Sequence, residues 1–100
     1  MGRGKGPGGI TIKEAIKQVI DREGRITPEN LLNKIKEIGP WKDNAIYRHI
    51  MGLIINLQPG YWEWSQFKVH EKCLFLKEDG YIEKYDSDIH GRYQEGIKII

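Results

Sequence analysis

The sequence predicts an α+β fold in which three helices precede a small antiparallel sheet built on a β-hairpin. Three observations carry this. Apolar residues recur at helical spacing in three stretches between residues 11 and 57. Each stretch is bounded by cap or breaker residues. Two β-like runs, 73–77 and 81–85, then flank Glu78-Asp79-Gly80, a turn with glycine at its left-handed position.

The first helix starts at Thr11. Thr11-Ile12-Lys13-Glu14 is a capping box, with Glu14 three residues past the cap. Ile12, Ala15, Ile16, Val19 and Ile20 form one apolar stripe, and Gly24 supplies the stop. Arg25-Ile26-Thr27 is short enough to add a strand to the later hairpin. Thr27 caps the second helix and Pro28 takes its first position, where a missing N–H costs nothing. Ile26 and Leu31 are spaced for a hydrophobic staple. Leu31, Leu32, Ile35 and Ile38 face inward, and Gly39-Pro40 ends the helix.

The third helix is predicted over 43–57, with Asp43 as its cap. At 100° per residue, Ile46, Ile50, Leu53, Ile54 and Leu57 gather on one side. Asn44, Arg48, Met51, Gly52 and Ile55 gather on the other, with Tyr47 between. Residues 61–71, YWEWSQFKVHE, keep no single period and predict a loop or irregular strand across the core. Beyond Asp86 the chain is polar and broken by glycine, with Ile97, Ile99 and Ile100 able to add an edge strand.

One hundred residues make one domain, large enough to hold a core without metal or disulfide staples. Residues 1–9, MGRGKGPGG, hold five glycines and a proline and predict a disordered basic arm ahead of a domain over 10–100. No apolar run has the length of a membrane span, and no apolar stretch follows the basic start as in a signal peptide. With a single cysteine, Cys73, these features predict a cytoplasmic protein. Gly6 stands where a myristoylation signal wants Ser or Thr. Abundant isoleucine with many Lys and Glu fits a thermophilic source or an A/T-rich genome.

The net charge of +2 is small, but its distribution is uneven. Residues 1–50 hold ten Lys/Arg against six Asp/Glu, and residues 51–100 hold six against eight. An excess of positive charge on the half with the paired helices suits an acidic polymer. In a helix-turn-helix, the second helix enters the major groove with its N-terminal residues at the base edges. Those residues are Asn44, Tyr47, Arg48 and Met51. Arg bonds guanine bidentately, and Asn does the same to adenine. Lys42 stands at the helix entrance, where phosphate contacts are usual. Arg3 and Lys5 can reach phosphates or a minor groove from the arm. The hairpin tip, Lys77-Glu78-Asp79-Gly80, is mostly acidic, which disfavours contact with phosphates.

Other constellations are thin. Tyr61, Trp62, Trp64 and Phe67 can close one end of the core, stack on bases or hold a peptide. His70 and Cys73 give one cysteine where a structural zinc site wants about four ligands. Asp86, Asp88 and His90 lack the twelfth-position Glu of a calcium loop. The glycines of the arm have no strand before them and no Lys-Ser/Thr after them, so they make no phosphate loop. The sequence therefore predicts neither cofactor nor catalysis.

With these elements in place, the chain resembles the winged helix-turn-helix family. Within it, the likeness is to HARE-HTH-type modules found beside restriction endonucleases and chromatin factors, and to their uncharacterised prokaryotic relatives. The resemblance covers roughly residues 10–93. It rests on IKEAIKQVIDREG, ITPENLLNKI, KDNAIYRHI and the late LFLKEDGYIEKYD. It implies a winged-helix fold and DNA binding, in transcription regulation or in bringing a DNA-acting machine to its target. The aromatic stretch before the hairpin and the acidic tip depart from the family pattern. Duplex DNA is the expected partner, and the sequence leaves a homodimer open. The alternative is a protein–protein adaptor using Trp62, Trp64, Met51 and Ile55.

Overall fold

The structure is a computed structural model that describes residues 9–57, 67–94 and 97–99. The expectations for Arg3 and Lys5, for Tyr61, Trp62 and Trp64, and for Ile100 fall outside the described residues. Among the described residues, no helix is long and apolar enough to cross a membrane.

Helix α1 (Ile12–Glu23) opens on a reciprocal cap. The Thr11 hydroxyl accepts from the Glu14 amide at 3.2 Å, and the Glu14 carboxylate accepts from the Thr11 amide at 2.9 Å. These bonds satisfy amides that have no partner inside the helix. Gly24 ends α1 at φ 80°, a region that residues with a Cβ seldom enter. Strand β1 (Arg25–Ile26) follows. Helix α2 (Pro28–Ile38) is capped by Thr27, whose hydroxyl accepts from the Asn30 amide. Its exit needs a glycine for space rather than for φ. A Cβ on Gly39 would lie 2.7 Å from the ring of Trp41.

Helix α3 spans Asp43–Leu53, so it stops four residues short of the predicted end. Its cap is Lys42, with no side-chain cap bond, rather than Asp43. The Asp43 carboxylate lies 3.1 Å from the Lys36 ammonium and sits in the first turn of α3. A negative charge there still suits the positive end of the helix dipole. The early stop has a nonlocal cause. Ile54 turns extended and makes a parallel bridge to Leu74. The Ile55 amide donates to the Leu74 carbonyl, and the Cys73 amide donates to the Leu53 carbonyl. The chain leaves the helix because strand β2 (Leu74–Leu76) offers it partners.

A single 3₁₀ turn, Val69–Glu71, precedes β2. β3 (Ile82–Lys84) completes the hairpin around Gly80, which has φ 91°. The sheet order is β1-β3-β2, all antiparallel, so residues 25–26 do join the hairpin as the sequence suggests. A short helix α4 (Ser87–His90) leads to β4 (Arg92–Gln94) and β5 (Ile97–Ile99). Ile97 and Ile99 thus lie in a strand, but it pairs with β4 in a separate two-stranded sheet and does not extend the first.

The class is α+β with small antiparallel sheets. Ile12, Ile16, Ile20, Leu31, Ile35, Ile46, Ile50 and Leu53 meet between the three helices, and Ile26, Leu74 and Ile82 seal them from the sheet side. Leu32, Ile38 and Leu57 are only partly buried at its margin. Nine of the fourteen buried residues in this cluster are isoleucine. Isoleucine is a mediocre helix former, so tertiary packing rather than local propensity holds these helices.

Two measurements test this packing. Ile50→Ala should lower unfolding free energy by about 2–5 kcal/mol in urea titration, the range for truncating a buried isoleucine. Asn56 holds both the amide and the carbonyl of Leu76 through its carboxamide, at 2.9 and 2.8 Å. Asn56→Ala should therefore cost about 1–3 kcal/mol, because both groups lose their partner.

Candidate nucleic-acid interface

The site expected on the third helix divides along its length. Asn44, Tyr47 and Arg48 are exposed in its first half, and Lys42 is exposed at its entrance. Positions i, i+3 and i+4 put Asn44, Tyr47 and Arg48 on one strip of surface. Their opposite side is the buried stripe of Ile46 and Ile50. Neither Lys42 nor Arg48 makes an ion pair among the described residues.

The second half of the expected outer face is corrected. Ile55 is 4% exposed and Gly52 is buried. Met51 is half-buried against the core. The cause is the junction with β2, which takes the last turn of α3 into the interior. Ile55 lies beyond the helix in backbone bonded to Leu74. The adaptor surface proposed around Met51 and Ile55 therefore loses Ile55.

Lys72, which the sequence places only as a cation near the hairpin, helps to hold this junction. Its side chain is 5% exposed, and its ammonium donates to the Gly52 carbonyl at the C-terminal turn of α3. Cations suit that end of a helix, where carbonyls are left over. Burial pushes the Lys72 pKa down, and the neighbouring Glu71 opposes the shift. His49 is also tied inward. Its Nδ1 donates to the Ala45 carbonyl at 2.7 Å, and its ring meets Phe67 edge-on.

The hairpin has few cations to offer a polyanion. Lys77 lies 3.6 Å from Glu83, and Arg25 lies 3.8 Å from Asp79. The Arg25 guanidinium also sits over the Tyr81 ring at 5.0 Å. Both ion pairs are on the surface and worth little in stability. They nevertheless place a carboxylate beside each cation.

A second polar cluster joins the hairpin to the C-terminal segment. His90 Nε2 is 2.5 Å from Glu83 Oε2, and the imidazole stacks on Phe75 at 4.0 Å. The Tyr85 hydroxyl donates to the Gly91 carbonyl at 2.7 Å. The His90 hydrogen bond holds the Glu83 carboxyl below the usual glutamate range, with Lys77 assisting and burial opposing. Sequence spacing groups His90 with Asp86 and Asp88 as an incomplete calcium loop and gives no sign of the contact with Glu83. Among the described residues, no group of three or more His, Cys, Asp or Glu is placed to hold a metal ion. Cys73 is half-buried, and burial raises its thiol pKa, which disfavours the nucleophilic thiolate.

Compared with known proteins, the chain matches no family model, no curated protein and no solved structure.

The Glu83–His90 contact has a pH signature. Because the folded carboxyl ionises below its unfolded value, its contribution is complete above the usual glutamate range. It is lost as pH falls through the lowered folded value. Between about pH 6 and pH 3, the urea midpoint of the wild type should fall further than that of Glu83→Gln. Parallel pH profiles for the two proteins would show that the contact adds nothing.

Proposed function

We propose that this chain is a winged-helix DNA-binding module that presents the first half of α3 to the major groove of duplex DNA. The element order α1-β1-α2-α3-β2-β3 with strand order β1-β3-β2 supports the fold part of this reading. The observation that carries the DNA part is the exposed strip of α3. It sets Arg48 beside Asn44 and Tyr47, with Lys42 at the helix entrance, and among the described residues no carboxylate engages either cation. In this reading Arg48 and Asn44 meet base edges or phosphates, Tyr47 reaches the backbone, and Lys42 holds a phosphate.

The acidic hairpin shapes the mechanism. With Lys77 and Arg25 each beside a carboxylate, the wing contributes little to phosphate binding. Affinity then rests on α3 and on the basic arm at Arg3 and Lys5. Such a protein positions itself through a few phosphates and serves as a regulator or a targeting module rather than as a strong general binder. No catalytic step is assigned to it.

Fluorescence anisotropy with duplex DNA at several salt concentrations tests the reading. If Arg3, Lys5, Lys42 and Arg48 all reach phosphate, log affinity should fall against log salt with a slope of roughly −3 to −4. Contacts by Lys42 and Arg48 alone would give about −2. Arg48→Ala should weaken binding by about 1–3 kcal/mol if the guanidinium bonds a base, while leaving the melting temperature near that of the wild type. Absence of binding at low salt would overturn the proposal.

A further inference from the structure

A cleft of about 590 Å³ opens beside the junction of α3 and β2, against the C-terminal ribbon. That size lies within the roughly 300–1,000 Å³ of small-molecule sites. Its lining includes the cations Lys72 and Arg92, the rings of Tyr85 and Tyr93, the Ser87 hydroxyl and the His70 imidazole, which lies 3.9 Å from the Glu71 carboxylate. No carboxylate stands among the described residues that line it. Arg92 is exposed and makes no ion pair among the described residues. The Tyr85 hydroxyl already donates to Gly91, so its ring is what remains for a ligand. The two tyrosine rings meet edge-on at 6.4 Å, and Tyr93 is braced by Phe75 at 5.6 Å.

A guanidinium fork and an ammonium suit a phosphate group, the first by paired hydrogen bonds and the second as a point charge. Aromatic walls suit a flat ring. We propose that this cleft binds a small aromatic phosphate of the nucleoside monophosphate class. Arg92 takes the phosphate, Lys72 adds positive charge from its place on the Gly52 carbonyl, and Tyr85 and Tyr93 offer ring surface to the base. The site is separate from the DNA-facing strip. Lys72 is bonded to Gly52, eight residues beyond Asn44, or roughly 12 Å along the helix. The proposal therefore does not depend on DNA binding.

The test is a two-dimensional amide NMR titration of the whole chain with adenosine 5′-monophosphate, without DNA. Saturable shifts should appear at His70, Ser87, Arg92 and Tyr93. Arg92→Ala should weaken binding about tenfold or more, as expected for loss of a charge-assisted partner, and Arg92→Lys should recover part of it. Arg48→Ala, on the other surface, should bind as the wild type does. Adenosine and inorganic phosphate, titrated separately, should each bind more weakly than the nucleotide. The proposal is overturned by no shifts at millimolar nucleotide, by shifts confined to α3, or by wild-type affinity in Arg92→Ala. Equal binding of adenosine would remove the anion from the site, and equal binding of inorganic phosphate would remove the ring.

Discussion

The direction in which α3 points is set at its C-terminal end, by backbone bonds to a strand about twenty residues further along. Leu53 accepts from Cys73, Ile55 donates to Leu74, and Ile54 bridges Leu74. Lys72 adds its ammonium to the Gly52 carbonyl. A helix packed only through apolar side chains can roll or slide at modest cost, because apolar burial is not directional. Hydrogen bonds are directional, and in a buried place they are expensive to lose. With its last turn fixed to the sheet, α3 has one side committed to Ile46 and Ile50. The strip with Asn44, Tyr47 and Arg48 is left outward by geometry.

The same junction separates two kinds of chemistry. The first half of α3 is polar and open, and among the described residues no carboxylate pairs with Lys42 or Arg48. The C-terminal half of the molecule is bound together by rings and by Glu83. Phe75 from β2, Tyr85 after β3, His90 from α4 and Tyr93 from β4 lie within stacking or edge distance of one another. Large rings suit this task, since each of these elements is four residues or fewer and can bury little by itself. The ring cluster and the Glu83–His90 contact make a second, smaller packing centre beside the isoleucine core.

Local signals were legible in the sequence and distant partners were not. The Thr11–Glu14 box, the Gly24 stop and the Thr27-Pro28 start each depend on residues at most four apart, and all are present. The inward stripe of α1 also follows from spacing alone, whereas in α2 only Leu31 and Ile35 of the expected four are fully buried. Asp43 is not the cap its residue type suggests, because the helix begins one residue earlier than expected and leaves Asp43 inside the first turn, where its carboxylate lies beside Lys36 of the preceding helix. The phase argument puts Ile55 outside because it carries the helix past Leu53, where β2 ends it, whereas Gly52 is still helical and is covered at the junction, where Lys72 bonds its carbonyl. For Asn56 and Lys72, one side-chain polar group each, no pattern in the chain marks a partner twenty residues away. On α3, the exposure of Lys42, Asn44, Tyr47 and Arg48 agreed with the phase, while Met51 at the next turn turned half inward.

Asn56 has one more consequence. β2 lies at the margin of its sheet, where unpaired amides and carbonyls would invite a foreign strand to dock. In this chain the Asn56 carboxamide occupies both backbone groups of Leu76, and Ile55 occupies the Leu74 carbonyl. A side chain thus acts as the end of a missing strand and closes that margin to recruitment by other chains. Among the described residues no comparable plug covers β5, where Ile97 and Ile99 are 61% and 41% exposed. In a crowded or heated sample, self-association through strand addition would begin at the ribbon, leaving the sheet under α3 intact.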